Sequence, residues 1–83
     1  MNVEIYDTEG KVLVRNTYDN KKSIATYTLF DENGKIKRES KREDLAWSRF
    51  HVNHNLMSMY ESFMLDEKNR KDFLEFALDI DNL

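Results

Sequence analysis

Two segments in the first half of the chain share one template: IYDTEGKVLVR at residues 5–15 and LFDENGKIKRE at residues 29–39. Each reads apolar residue, aromatic, Asp, two variable residues, Gly, Lys, apolar residue. The only two glycines, Gly10 and Gly34, occupy the same place in both copies, and the chain has no proline. An aspartate can accept hydrogen bonds from turn amides. A glycine three residues later can take the left-handed backbone that closes a short loop. The template therefore predicts two β-hairpins. A Gly-Lys pair also suggests a phosphate-binding loop, but that motif needs more glycine and a following helix. Strand-like sequence follows here, so the phosphate reading is discarded.

Strands are expected near residues 2–7, 11–18, 23–30 and 35–39, with residues 19–22 as the middle connection. Short connections favour an antiparallel meander. The fourth segment surrounds Ile36 with Lys35, Lys37, Arg38 and Glu39, which suits a sheet edge where charge discourages pairing with another chain. Aligning each hairpin on its turn places Tyr6, Val12, Val14, Phe30 and Ile36 on one face. Val3, Ile5, Leu13, Tyr27 and Leu29 fall on the other. Both sets need cover. Either the second face associates with a partner or another copy, or strong twist lets the helices wrap it.

Residues 40–43, SKRE, have the form of a capping box, with Asp44 adding negative charge to the first turn. A first helix is expected over about residues 41–64. A second starts at Asp66 and carries an apolar stripe of Phe73, Phe76, Ala77 and Ile80. The order ββββαα makes a single α+β domain over residues 1–83: a four-stranded antiparallel meander followed by two helices packed on the sheet.

On a wheel of roughly 100° per residue, the first helix gathers Leu45, Ala46, Phe50, Val52, Leu56, Met57, Met59, Tyr60, Phe63 and Met64 on one broad face. Arg49 and Asn53 fall inside that arc as a buried polar pair. Such a pair either snorkels to the rim or lines an anion pocket, because an unpaired buried charge is very costly. The opposite side carries a narrow stripe of Trp47, His51, His54, Ser58 and Leu65. Interfaces concentrate their energy in residues such as tryptophan, so the stripe reads as a partner-binding surface unless the second helix covers it.

His51 and His54 could share a metal only with a third ligand such as Glu61 or Asp44, since the chain has no cysteine. No serine, cysteine or paired carboxylate sits beside either histidine in a catalytic pattern. The expectation is no metal, no cofactor and no enzyme activity.

Charge is uneven. Residues 1–42 carry nine Lys or Arg against seven Asp or Glu, a balance of +2; residues 43–83 carry four against nine, a balance of −5. Lys35, Lys37, Arg38, Lys41 and Arg42 form a candidate anion or nucleic-acid contact, which Glu39, Glu43 and Asp44 interrupt. Asp66, Glu67, Asp72, Glu75, Asp79 and Asp81 give an acidic C-terminal helix that could face a basic partner, diluted by Lys68, Arg70 and Lys71. An acidic helix face is ordinarily just solvated.

No apolar run approaches the ~20 residues that span a bilayer. With no leader pattern and no cysteine, the chain reads as a cytoplasmic protein. These features point to a small acidic protein-binding module. By analogy alone, it resembles the inhibitors and adaptors with which phages and other mobile elements block a host machine. Nucleic-acid binding through the basic edge at residues 35–42 is the alternative.

Overall fold

The repeated template folds as two superimposable turns. Asp7 Oδ1 accepts from the amides of Glu9 and Lys11, both at 2.8 Å, while the Gly10 amide donates to the Asp7 carbonyl at 3.1 Å. Asp31 does the same for Asn33 at 2.8 Å, Lys35 at 2.9 Å and Gly34 at 3.1 Å. Gly10 and Gly34 sit at φ 84° and 79°, the left-handed region that closes a three-residue hairpin loop. The structure is a computed structural model describing residues 1–63 and 74–76, with Ser62 and Phe63 by backbone alone.

The four strands are β1 (Asn2–Tyr6), β2 (Val12–Asp19), β3 (Ile24–Phe30) and β4 (Ile36–Arg42), paired antiparallel in chain order. Each hairpin carries one bulge. Ile5 pairs with Val14 and Tyr6 with Val12, which leaves Leu13 as the extra residue. Leu29 pairs with Arg38 and Phe30 with Ile36, which leaves Lys37 extra in the second hairpin. Leu13 and Lys37 are equivalent positions of the repeat, so the repetition extends into the bulge.

That bulge corrects the expected faces. Val14 lies opposite Ile5 and Leu29, is fully buried, and shares the helix side with them. Leu13 packs against the same cluster, because a bulge lets two successive side chains lean one way. Tyr6, Phe30 and Ile36 do lie on the outer face, as expected, with Tyr6 and Ile36 exposed. This face is more polar than the alignment suggested. The Arg15 guanidinium lies 5.2 Å above the Phe30 ring and pairs with Glu4 at 2.9 Å, while Thr28 donates to Glu39 at 2.9 Å.

The capping-box expectation fails. Ser40, Lys41 and Arg42 continue β4, opposite Tyr27, Thr26 and Ala25, and the helix α1 (Ala46–Phe63) begins later. A ladder of backbone bonds along an available neighbour outweighs a cap worth ~1 kcal/mol. Asp44 pairs with Arg42 at 3.3 Å, and no acidic residue stands in the first helical turn.

The buried face of α1 is narrower than the sequence suggests. Ala46, Phe50, Asn53, Met57 and Tyr60 are buried, an alternating four-three spacing that makes a seam rather than a broad arc. Leu45, Val52 and Met59, expected inside, are 75%, 42% and 44% exposed. The seam lies over β2 and β3, with Met57 and Tyr60 above Ile5, Val14, Tyr27 and Leu29, and Phe50 and Ala46 above Ala25.

Residues 74–76 are helical. Leu74 is buried in the main cluster and its carbonyl accepts from the Tyr27 hydroxyl at 2.7 Å. Burial pushes the Tyr27 phenol well above its ordinary value of 10.0, so it remains a neutral donor. Phe76, expected on the apolar stripe, is half exposed. The remainder of the expected second helix, with Asp66, Phe73, Ala77 and Ile80, lies outside the described residues.

Nothing lies within 4 Å of the position a Cβ would take at Gly34, so substitution there meets only backbone strain. Gly34→Val should lower unfolding stability by more than ~1 kcal/mol in urea titration, and Gly34→Asn by less. An unchanged midpoint for the valine variant would contradict the turn geometry.

Candidate functional site

Trp47 stands one residue beyond the buried seam, and that offset determines its surroundings. Its ring meets Tyr18 of β2 at 5.0 Å edge-on, stacks near Phe50 at 6.1 Å and 19°, and receives His51 edge-on at 4.2 Å. Phe50 lies beneath this group and is fully buried, with His54 at 6.1 Å and Tyr18 at 6.2 Å. Ring contacts of this kind are each worth ~0.5–1.5 kcal/mol beyond area burial. Trp47 nevertheless remains 48% exposed. It is an aromatic packed against other rings on one side and open on the other.

The predicted stripe is thus partly assembled. Trp47, His51 and His54 join one aromatic group, while Ser58 is exposed and donates to the His54 carbonyl at 3.1 Å. Leu65 lies outside the described residues. Tyr18 was missed by sequence reasoning, because its inward phase on β2 follows from the bulge at Leu13 and its contact with Trp47 from where the helix rests.

Leu45, two residues before Trp47, has a left-handed backbone, φ 52°, and its side chain is the most exposed of the large apolar residues among those described. Its carbonyl accepts the first helical bond, from the Arg49 amide at 2.9 Å. Ser23, in the β2–β3 loop at the same end of the sheet, is also left-handed at φ 54°. Unfavourable backbone of this kind costs about 1–3 kcal/mol per residue and gathers at binding and switch sites.

The expected buried polar pair is rearranged. Asn53 is 1% exposed, whereas Arg49 is half-buried. Asn16 and Thr28 are buried as well, and Asn16 Nδ2 donates to the Phe50 carbonyl at 2.9 Å. Among the described residues, the Oδ1 atoms of both asparagines are buried without a hydrogen-bond partner. The inward phase of Asn16, like that of Val14 two residues earlier, follows from the bulge at Leu13 and was not legible in the sequence.

The basic residues do not converge. Strand alternation sends Arg38 and Arg42 to the helix side, with carboxylates beside several members: Lys37 meets Glu75 at 2.7 Å, Lys41 meets Glu39 at 3.9 Å and Arg42 meets Asp44. Lys35 is exposed in the second turn.

At that turn end, a cavity of about 820 Å³ lies over Leu13, Leu29 and Leu74, rimmed by Asp7, Asp31 and Glu75. Asp7 and Asp31 are already engaged by their own turn amides. Among the described residues, no three His, Asp or Glu side chains are arranged to hold a metal, and no helix is long and apolar enough to cross a membrane.

Comparison with protein families, with curated proteins and with solved structures finds no match.

If the Leu45 backbone is held under strain, Leu45→Gly should raise stability by about 0.5–1 kcal/mol despite removing an apolar side chain. Thermal melting decides it, and a lower melting temperature would contradict the geometry.

Proposed function

We propose that this protein is a small, non-enzymatic protein-binding module of the inhibitor or adaptor kind. It engages its partner with the end of the sheet that carries Trp47. One observation supports this reading above the others: a half-exposed tryptophan held in place by Tyr18, Phe50 and His51. A side chain already fixed in its bound position loses little entropy on binding. Tryptophan also contributes disproportionately at interface centres. Leu45, two residues before Trp47, is also exposed and carries a left-handed backbone. His51 and His54, which join the aromatic group, supply a polar, wet rim.

The test compares Trp47→Ala with a control substitution at exposed Glu61, measuring thermal stability and capture of binding proteins side by side. Truncating the anchor should weaken a specific interaction by about 2 kcal/mol, roughly thirty-fold, while leaving a folded protein. The Glu61 control should bind as wild type. A partner retained equally by Trp47→Ala would refute the anchor. So would a stability loss of about 3–5 kcal/mol, the range for a fully buried aromatic, without a specific loss of binding.

A further inference from the structure

The sheet has two edges, and they differ in chemistry. β4 presents Lys37, Arg38, Glu39, Lys41 and Arg42, a charged edge that resists pairing with another strand. β1 is NVEIY, with Glu4 its only charge. That charge is already balanced: Arg15 Nε approaches Glu4 Oε2 at 2.9 Å and the Tyr6 hydroxyl donates to Glu4 Oε1 at 3.2 Å. No described element lies along the outer side of β1, since α1 sits over β2 and β3.

The hydrogen-bond phase of β1 follows from its first residue. Met1 and Tyr18 exchange both backbone bonds, each at 3.0 Å. In an antiparallel ladder such pairs recur at every second residue. Val3 and Ile5 therefore bond inward to Asn16 and Val14, the partners that the register gives them. Asn2, Glu4 and Tyr6 then direct their N–H and C=O groups to the outer edge, where no described residue pairs with them.

We propose that β1 pairs antiparallel with β1 of a second copy, about a two-fold axis at Glu4, to make one continuous sheet. The strand is self-complementary about that residue. Asn2 meets Tyr6 of the other copy, and half-buried Val3 meets Ile5 on the helix side, extending the apolar core across the junction. Glu4 faces Glu4, which the Arg15 pairing makes tolerable. The charged β4 edge stops further addition, so assembly closes at two copies instead of propagating. This pairing is independent of the Trp47 end and leaves it open.

A short edge contact of this size is a weak one, with a dissociation constant in the range of about 10 µM to 1 mM. The test is sedimentation equilibrium across that range, combined with amide exchange at both ends of it. Mass should rise from monomer toward dimer, with slowed exchange at Asn2, Glu4 and Tyr6 and none added at Val3 or Ile5. Proline removes an outward N–H without touching the inward ladder. Asn2→Pro, which keeps the Glu4–Arg15 pair, and Glu4→Pro should each weaken dimerisation at least ten-fold, with unchanged circular dichroism. Should Glu4→Pro fail to fold, Asn2→Pro and the wild-type exchange pattern decide. A monomer throughout the range, protection elsewhere than the even-numbered amides, or a folded Asn2→Pro that dimerises like wild type would each overturn the proposal.

Discussion

One buried hydrogen bond, from Asn16 Nδ2 to the Phe50 carbonyl at 2.9 Å, ties the helix to the sheet. Apolar burial supplies most of the stabilising energy, since a fully buried side chain such as Phe50 contributes roughly 1.5–3 kcal/mol. That term is non-directional, so it does not fix where along β2 the helix rests. The Asn16 amide does. It finds one carbonyl, and the rest of α1 follows: Ala46 and Phe50 over Ala25, Met57 and Tyr60 over the Ile5–Leu29 region. The arrangement carries a cost, because the Oδ1 atoms of Asn16 and Asn53 are buried with no partner among the described residues. A polar contact with that balance specifies position more than it adds stability.

The same register places the aromatic end. With Phe50 directly beneath, Trp47 falls at the margin of the seam, where Tyr18 and His51 hold its ring and solvent reaches the rest. The two ends of the sheet then differ in their backbone. At the Asp-Gly end, glycines occupy the left-handed positions at no steric cost. At the Trp47 end, Ser23 and Leu45 occupy equivalent conformations without that freedom. Strain and exposed apolar surface coincide at the end proposed to bind, while the turn end holds carboxylates already committed to its own loops.

Strand positions were legible because local chemistry dictates them. Asp7, Gly10, Asp31 and Gly34 determine their turns through bonds spanning at most four residues, and antiparallel order follows from short connections. The phase of Val14 was not legible, because a bulge at Leu13 shifts the alternation and leaves no mark in residue type. The start of α1 was misplaced for a related reason. SKRE satisfies a local capping pattern, but Ala25–Tyr27 offer a longer-range ladder that residues 40–42 take instead. Trp47 could be seen leaving the core on a wheel. Its contact with Tyr18 and the burial of Asn16 depend on helix-to-sheet register, which only the tertiary structure sets.

The central claim is that Asn16 fixes the register that positions Trp47, and NMR of the wild-type protein tests it most directly. Side-chain amide exchange at Asn16 and nuclear Overhauser contacts of the Trp47 indole would be measured on one sample. The account predicts a slowly exchanging Asn16 side-chain amide proton, together with strong contacts from the indole to the Tyr18 ring. An Asn16 amide exchanging at solvent rates, or an indole without contacts to Tyr18, would contradict it.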